Sequence, residues 1–185
     1  FKREFTSKTT DSEGEVFEKL DKLAENIPAG SDGLVALPYF KGERSPIWDP
    51  QAKGMIIGLS LYHTKGHVFR SLLEATAYSL KHNIEVGKEI GLPLKASTKL
   101  VGGASNSELW TQIFADVTNR PFIIPAGGIG APLGDALLAG VATDLLDDVE
   151  DIEAWIEKGE IIQPREKQHE VYDQLFDLYV ALYQN

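Results

Sequence analysis

Apolar residues between Asp11 and Ile27 recur at Val16, Phe17, Leu20, Leu23, Ala24 and Ile27, the spacing of one helix face, and Pro28-Ala29-Gly30 ends that pattern. Two short apolar runs, Gly33–Phe40 and Met55–Leu59, predict buried strands, joined by a Lys41–Lys53 loop that contains Pro46 and Pro50. Thr64 is placed to cap a long helix carrying Val68/Phe69, Leu72/Leu73, Thr76/Ala77, Leu80 and Ile84, with Gly91 as its terminator. A shorter rhythm follows. Strand Lys99–Val101 runs into Gly102-Gly103-Ala104 and a helix over about Ser107–Val117. Strand Phe122–Ile124 runs into a second glycine-rich turn and a helix through about Thr143. A helix around Val149–Glu157, a strand near Glu160–Ile162 and an amphipathic helix from Glu166 to Tyr183 complete the chain. Two hairpin-like strands followed by strand–helix alternation predict an α/β or mixed α+β domain.

Composition narrows the function classes. The 185 residues are 43% hydrophobic and 25% charged, enough for one ordinary core. Cysteine is absent, which removes disulfide frameworks, thiolate metal sites and cysteine nucleophiles. The net charge of -10 argues against a nucleic-acid partner. No apolar run approaches the roughly 18 residues of a membrane helix. The opening Phe1-Lys2-Arg3-Glu4 has no signal-peptide core, so the expectation is a cytoplasmic protein without a membrane partner. The charge is uneven: residues 144–185 hold 12 acids and 3 bases, whereas 91–143 hold 3 of each. An anionic ligand is repelled least in that glycine-rich middle stretch.

The segment Val101-Gly-Gly-Ala-Ser-Asn-Ser-Glu-Leu-Trp110 carries the most chemistry. A strand ends, two glycines allow close backbone approach, and a helix begins, so amide groups and the positive helix end face one space suited to a phosphate. The plainer reading is a tight strand–helix turn, with Ser105 and Glu108 spaced as a capping box. In Gly127-Gly-Ile-Gly-Ala-Pro-Leu-Gly134, Leu133 stands where a dinucleotide fingerprint needs its third glycine, which argues against a Rossmann oxidoreductase. The following helix has a small-residue surface (Ala131, Gly134, Ala136, Ala139, Gly140, Ala142), for close helix packing or for approach to a nucleotide or partner domain. His63 and His67 have the spacing of a helical metal pair. Thr64 occupies the position of a zincin glutamate, however, so capping or surface roles are favoured. No Gly-x-Ser-x-Gly elbow is present. The loop Phe40–Pro50 reads as a rigid connector with an internal Glu43–Arg44 network, or else as a substrate wall; the connector is favoured.

Three motifs in order resemble the FGGY family of carbohydrate kinases, and within it the xylulose-kinase branch. They are Pro38-Tyr-Phe-x-Gly-Glu-Arg-Ser-Pro-x-x-Asp-Pro-x-Ala-x-Gly54, then Gly102-Gly-Ala…Trp110…Ala115-Asp116, then Gly130…Leu133-Gly134-x-Ala136-x-Leu-Ala-Gly140. The likeness runs from about Gly33 to the end, and is weaker over residues 1–32. It implies a ribonuclease-H-like (actin-like ATPase) half with a mixed sheet flanked by helices. Residues 1–185 would be a single domain, the C-terminal, nucleotide-binding half of such a kinase. The N-terminal half, with the sugar site and the catalytic base, would be its partner. ATP and Mg2+ are the implied cofactors. Carried over by position, Gly102, Gly103 and Ala104 would approach the phosphates through their backbone, with Ser107 near the nucleotide and Asn106 contributing a side-chain bond. Asp135 departs from the small residue many relatives carry, and is expected to point away from the phosphates or toward Mg2+ waters. Xylulose is the first choice of substrate, with ribulose, gluconate, glycerol and related polyols open. The surface that faces the absent half is expected to favour a homo-oligomer. The alternative is a non-catalytic nucleotide-binding or oligomerising module of the same fold.

Overall fold

The computed structural model describes residues 12–126, 131–149 and 159–184. Helix α1 (Glu13–Glu25) starts at a capping box in which the Ser12 amide donates to Glu15 Oε2 at 2.7 Å and the Glu15 amide donates back to Ser12 Oγ at 3.4 Å. A 3-10 turn at Ser31–Gly33 leads into strand β1 (Val35–Leu37), which pairs antiparallel with β2 (Met55–Ile57) in the register Val35↔Ile57, Ala36↔Ile56 and Leu37↔Met55. Both strands are shorter than their apolar runs. Gly58 lies at φ +93 with a Cβ position 2.5 Å from the Gly33 carbonyl, which turns the chain out of the ladder.

Helix α2 (Lys65–Glu89) is capped at Thr64, as the sequence predicts. It ends in a Schellman motif: Gly91 sits at φ +75, its amide bonds to Lys88 O at 3.0 Å, and the Leu92 amide bonds to Gly87 O at 2.9 Å. Strand β3 (Thr98–Lys99) and β4 (Phe122–Ile124) are parallel neighbours joined through α3 (Glu108–Thr118), and β5 (Glu160–Ile162) adds antiparallel to β4. This is a mixed three-stranded sheet in the order β3-β4-β5, flanked by helices. Helices α4 (Ala131–Ala142) and α5 (Glu166–Gln184) complete the described elements. The helix expected over Val149–Glu157 and the turn at Gly127–Gly130 lie outside the described residues.

The core gathers around α2. Phe69, Leu73, Ala77 and Tyr78 meet Leu20 and Ala24 of α1, Val35 and Leu37 of β1, Ile113 and Val117 of α3, and Tyr172 and Tyr179 of α5. Within it lies a buried polar hub. Glu74 accepts from Arg70 Nε (2.9 Å), the Gly30 amide (3.0 Å), Ser31 Oγ (2.7 Å) and Tyr172 OH (2.9 Å). Arg70 also donates to Ala24 O at 3.1 Å and to Tyr172 OH at 3.0 Å. Burial pushes the Glu74 carboxyl up from its ordinary range, and Arg70 with the two hydroxyls pulls part of that back. Four elements are thereby tied at one point: the end of α1, the 3-10 turn, α2 and α5. A second buried carboxylate, Asp116 of α3, accepts from Arg165 N, Nε and Nη2 at 2.7, 3.0 and 2.6 Å and fixes the entry to α5.

Candidate functional site

The first glycine turn has the strand–turn–helix form expected of it. Leu100 N bonds to Ile123 O at 3.0 Å, and two residues later Gly102 stands at φ 88, ψ -162, a backbone conformation that suits glycine alone. Gly103–Asn106 then form a 3-10 turn whose first bond is Ser105 N to Gly102 O at 3.1 Å. The amides of Gly103 and Ala104 precede that bond and so have no acceptor inside the turn. A Cβ built on Gly102 or Gly103 meets nothing within 4 Å, and both glycines are exposed. Open space lies beside both glycines, a few residues ahead of an eleven-residue helix. An anion fits that arrangement.

Two details differ from the sequence expectation. The capping box is not Ser105/Glu108: Ser105 Oγ donates to Gly102 O at 2.7 Å, closing the turn, and the N-cap of α3 is Ser107, whose Oγ accepts from the Trp110 amide at 3.1 Å. Ser107 also donates to Asp21 of α1, a carboxyl that burial pushes up from its ordinary range while this bond pulls it down. The Ser107 hydroxyl thus caps α3 with one acceptor position to spare, and its neighbour Asn106 is exposed. Further, of the two glycines expected to let the backbone come close, Gly102 alone takes a glycine-only angle.

The turn rests on α2 through Trp110, whose Nε1 donates to Thr76 Oγ1 at 2.9 Å and whose ring stacks on Phe114 at 5.9 Å. Neither Asp21 nor Thr76 could be singled out beforehand. Asp21 belongs to the polar face of an amphipathic helix, where an acid normally meets solvent.

The second glycine turn, Gly127–Gly130, lies outside the described residues. On α4, Asp135 is exposed. A Cβ on Gly140 would stand 2.7 Å from Leu146 Cδ1, so this glycine serves local packing, one of the two roles open to that small-residue surface. His63 and His67 cap backbone: Ser60 N donates to His63 Nδ1 at 3.0 Å and Thr64 N donates to His67 Nδ1 at 3.1 Å, while His67 Nε2 meets Asp32 Oδ2 at 3.1 Å. With Nδ1 accepting, each ring carries its proton on Nε2, which suits capping and not shared ligation.

The loop before β2 is braced. Glu43 and Asp49 exchange both backbone bonds at 2.8 and 2.7 Å, Ser45 Oγ bonds to Asn83 Oδ1 of α2 at 2.5 Å, and Tyr183 of α5 donates to Asp49 Oδ2 at 2.9 Å. The expected Glu43–Arg44 network exists, but as a carboxylate on backbone: Glu43 Oε1 accepts the Arg44 and Ser45 amides at 2.8 and 3.2 Å. Among the described residues no group of three His, Asp or Glu is placed to hold a metal ion. Among them, too, no helix is long and apolar enough to cross a membrane.

Comparison with known proteins bears on this geometry. The profile of the FGGY family of carbohydrate kinases, C-terminal domain, matches residues 2–143. A xylulose kinase of Staphylococcus epidermidis is 33% identical over 177 residues, 95% of this chain and 36% of that protein. The crystal structure of xylulose kinase from Rhodospirillum rubrum superposes with a TM-score of 0.77 at 39% identity, over 94% of this chain and 35% of that one. Gluconate kinase from Lactobacillus acidophilus gives a TM-score of 0.78 at 27% identity, over 95% and 35% of the two chains. The chain thus spans about a third of the length of these relatives. Its fold class is theirs, a ribonuclease-H-like (actin-like ATPase) arrangement of a mixed sheet and helices.

Proposed function

Since this chain belongs to the FGGY family of carbohydrate kinases, as its C-terminal domain, we propose that it is the ATP-binding half of a sugar kinase. The complete enzyme would pass the γ-phosphoryl group of ATP to a hydroxyl of a ketose or polyol, D-xylulose first among them. The observation that carries the reading is the open Gly102–Asn106 turn ahead of α3, where the Gly103 and Ala104 amides have no acceptor inside the turn and the two glycines border free space.

In that role Gly102 sets the backbone angle, Gly103 and Ala104 donate to phosphate oxygens, and the α3 N-terminus adds its partial positive charge. Asn106 offers a side-chain bond. Ser107, Asp21 and Trp110 hold the turn in place from behind. Mg2+ would enter on the phosphates, neutralising charge that develops there, since magnesium commonly keeps its waters and few protein ligands. Asp135, exposed on α4, is available to those waters. The base on the sugar hydroxyl and the second wall of the cleft would come from an N-terminal half. Closure of the two halves would shut out competing water. Residues 1–185 act as one domain in this scheme, in the cytoplasm where ATP and sugars meet.

The test is phosphorylation of D-xylulose with Mg-ATP by the 185-residue chain, beside the same chain joined to an upstream sugar-binding half. The joined protein is expected to turn over and the chain alone to transfer no phosphate. Turnover by the chain alone at a comparable rate would place the base within these residues and overturn the assignment.

A further inference from the structure

The braced loop holds a pocket that phosphoryl transfer at the glycine turn does not use. Lys41, Glu43, Arg44, Trp48 and Pro50 line an open pocket of about 170 Å³. At roughly 30 Å³ per liquid water, that is room for a short sugar chain. Its base is rigid for reasons given above: the doubled Glu43–Asp49 bond, Asn83 of α2 on Ser45, and Tyr183 of α5 on Asp49. Gly42, at φ +76 with a Cβ position 2.8 Å from Pro50 Cα, closes it further.

On this base Trp48 is 73% exposed and held at φ 47. A left-handed tryptophan is an uncommon and unfavourable conformation, and here it turns the largest apolar side chain toward solvent, so core packing does not account for it. The charges beside it are arranged unequally. Residues 41–53 hold three bases and two acids within a chain of net charge -10. Both acids are turned onto the loop's own groups: Glu43 Oε1 onto the amides of residues 44 and 45, and Asp49 onto the Gln51 amide at 2.8 Å and the Tyr183 hydroxyl. Lys41 and Arg44, both exposed, are left lining the pocket. An exposed indole beside two cations, on a fixed frame, is a recognition surface for a ligand with an apolar face and an anionic end.

We propose that this pocket is a second, non-catalytic site for a polyhydroxylated chain or ring ending in an anion, a sugar phosphate or a sugar acid. The C–H face of the ligand lies on the Trp48 indole. Arg44 takes the phosphate or carboxylate with two parallel bonds, and Lys41 adds a point charge. The Glu43 carboxylate, with lone pairs to spare after its two amide bonds, accepts from a hydroxyl. The site is distinct from the glycine turn: on α2, Asn83 under this loop is seven residues beyond Thr76 under Trp110, about 10 Å along the axis. The choice of a sugar-derived ligand rests on the sugar-kinase reading; the pairing of an anion with an aromatic face does not.

The experiment is a titration of the 185-residue chain with D-xylulose 5-phosphate, D-gluconate, inorganic phosphate and D-xylulose, followed by the Trp48 indole N–H resonance, which Trp48→Phe assigns. The expected result is a saturable shift with the sugar phosphate or with gluconate, the tighter of the two identifying the anion. It should be at least tenfold tighter than with inorganic phosphate or the neutral sugar, tenfold weaker in Arg44→Ala, and unchanged in Gly103→Val. No saturable shift with either sugar anion, equal affinity in Arg44→Ala, or displacement by ATP would overturn the proposal. A parallel Mg-ATP titration read at the Gly103 amide keeps the two claims apart. Loss of binding there with persistence at Trp48 counts against the kinase reading alone, and the reverse counts against this pocket alone.

Discussion

The hub at Glu74 and the turn at Gly102–Asn106 are opposites in how they treat polar groups. At the hub a carboxylate of 1% exposure has four donors, and the arginine beside it has three acceptors. At the turn, the Gly103 and Ala104 amides have no acceptor inside the turn, and two exposed glycines border open space on a backbone held from behind by Ser105, Ser107 and Trp110. A satisfied buried network fixes geometry and offers nothing to a ligand; an unsatisfied exposed one offers a ligand its bonds and adds little stability. The difference teaches where to expect each kind of mutational effect.

The largest effect should come from breaking the hub. Glu74→Ala leaves Arg70 buried without its counter-charge and should cost about 3–5 kcal/mol, read as a loss of melting temperature. Arg70→Met with Glu74→Leu should lose distinctly less, because no lone charge remains. A single variant as stable as the parent would mean that the hub does not tie α1, α2 and α5 together.

Within the turn the two glycines should separate. Gly102→Ala forces a side chain onto a φ of 88 and should cost ~1–3 kcal/mol. Gly103→Ala, whose Cβ meets nothing within 4 Å, should stay within about 0.5 kcal/mol of the parent. Gly103→Val should fold normally and lose nucleotide affinity, because its branches fill the space a phosphate needs. Thermal melts and ATP titrations of the three variants decide this. Equal destabilisation by both alanines would break the division of labour.

The smallest effect is a pH response of the braced loop. The Gln51 amide, then the Tyr183 hydroxyl, hold the Asp49 carboxyl below its ordinary range. A depressed carboxylate contributes stability that is present above the unfolded value, about 3.9, and is lost as pH falls through the lower folded value. The Trp48 environment should therefore hold steady down to about pH 4 and change only below it. Asp49→Asn should abolish that change; a transition centred well above pH 4 would show that another group controls the loop.

Much of the fold was legible because its elements follow simple periods and end on strong signals. Thr64 and Gly91 bracket α2, and Glu160–Ile162 is a strand in its predicted place. The strands within Gly33–Phe40 and Met55–Leu59 are shorter than those runs, since an apolar run records burial and not pairing: Tyr39 is buried as an aromatic contact of Tyr179, outside the ladder. The turn at Gly102 was legible from its glycines, but the duty of Ser107 was not, since Ser105 and Ser107 both lie within capping distance of a helix start. The hub had a faint signal, Arg70 and Glu74 one turn apart in an otherwise apolar stretch of α2. Its partners Gly30, Ser31 and Tyr172 come from distant positions that no local pattern links. Asp21 had no signal.

The central claim is that the Gly102–Asn106 turn receives the nucleotide. Titration of the isotopically labelled 185-residue chain with Mg-ATP, followed amide by amide, tests it most directly. The account predicts weak, saturable binding, with a Kd roughly millimolar, for which only about 4 kcal/mol is needed. The Gly103 and Ala104 amides should shift most, Asn106 should follow, and the response should vanish in Gly103→Val. Shifts confined to other parts of the chain, or an undiminished response in a correctly folded Gly103→Val, would contradict it.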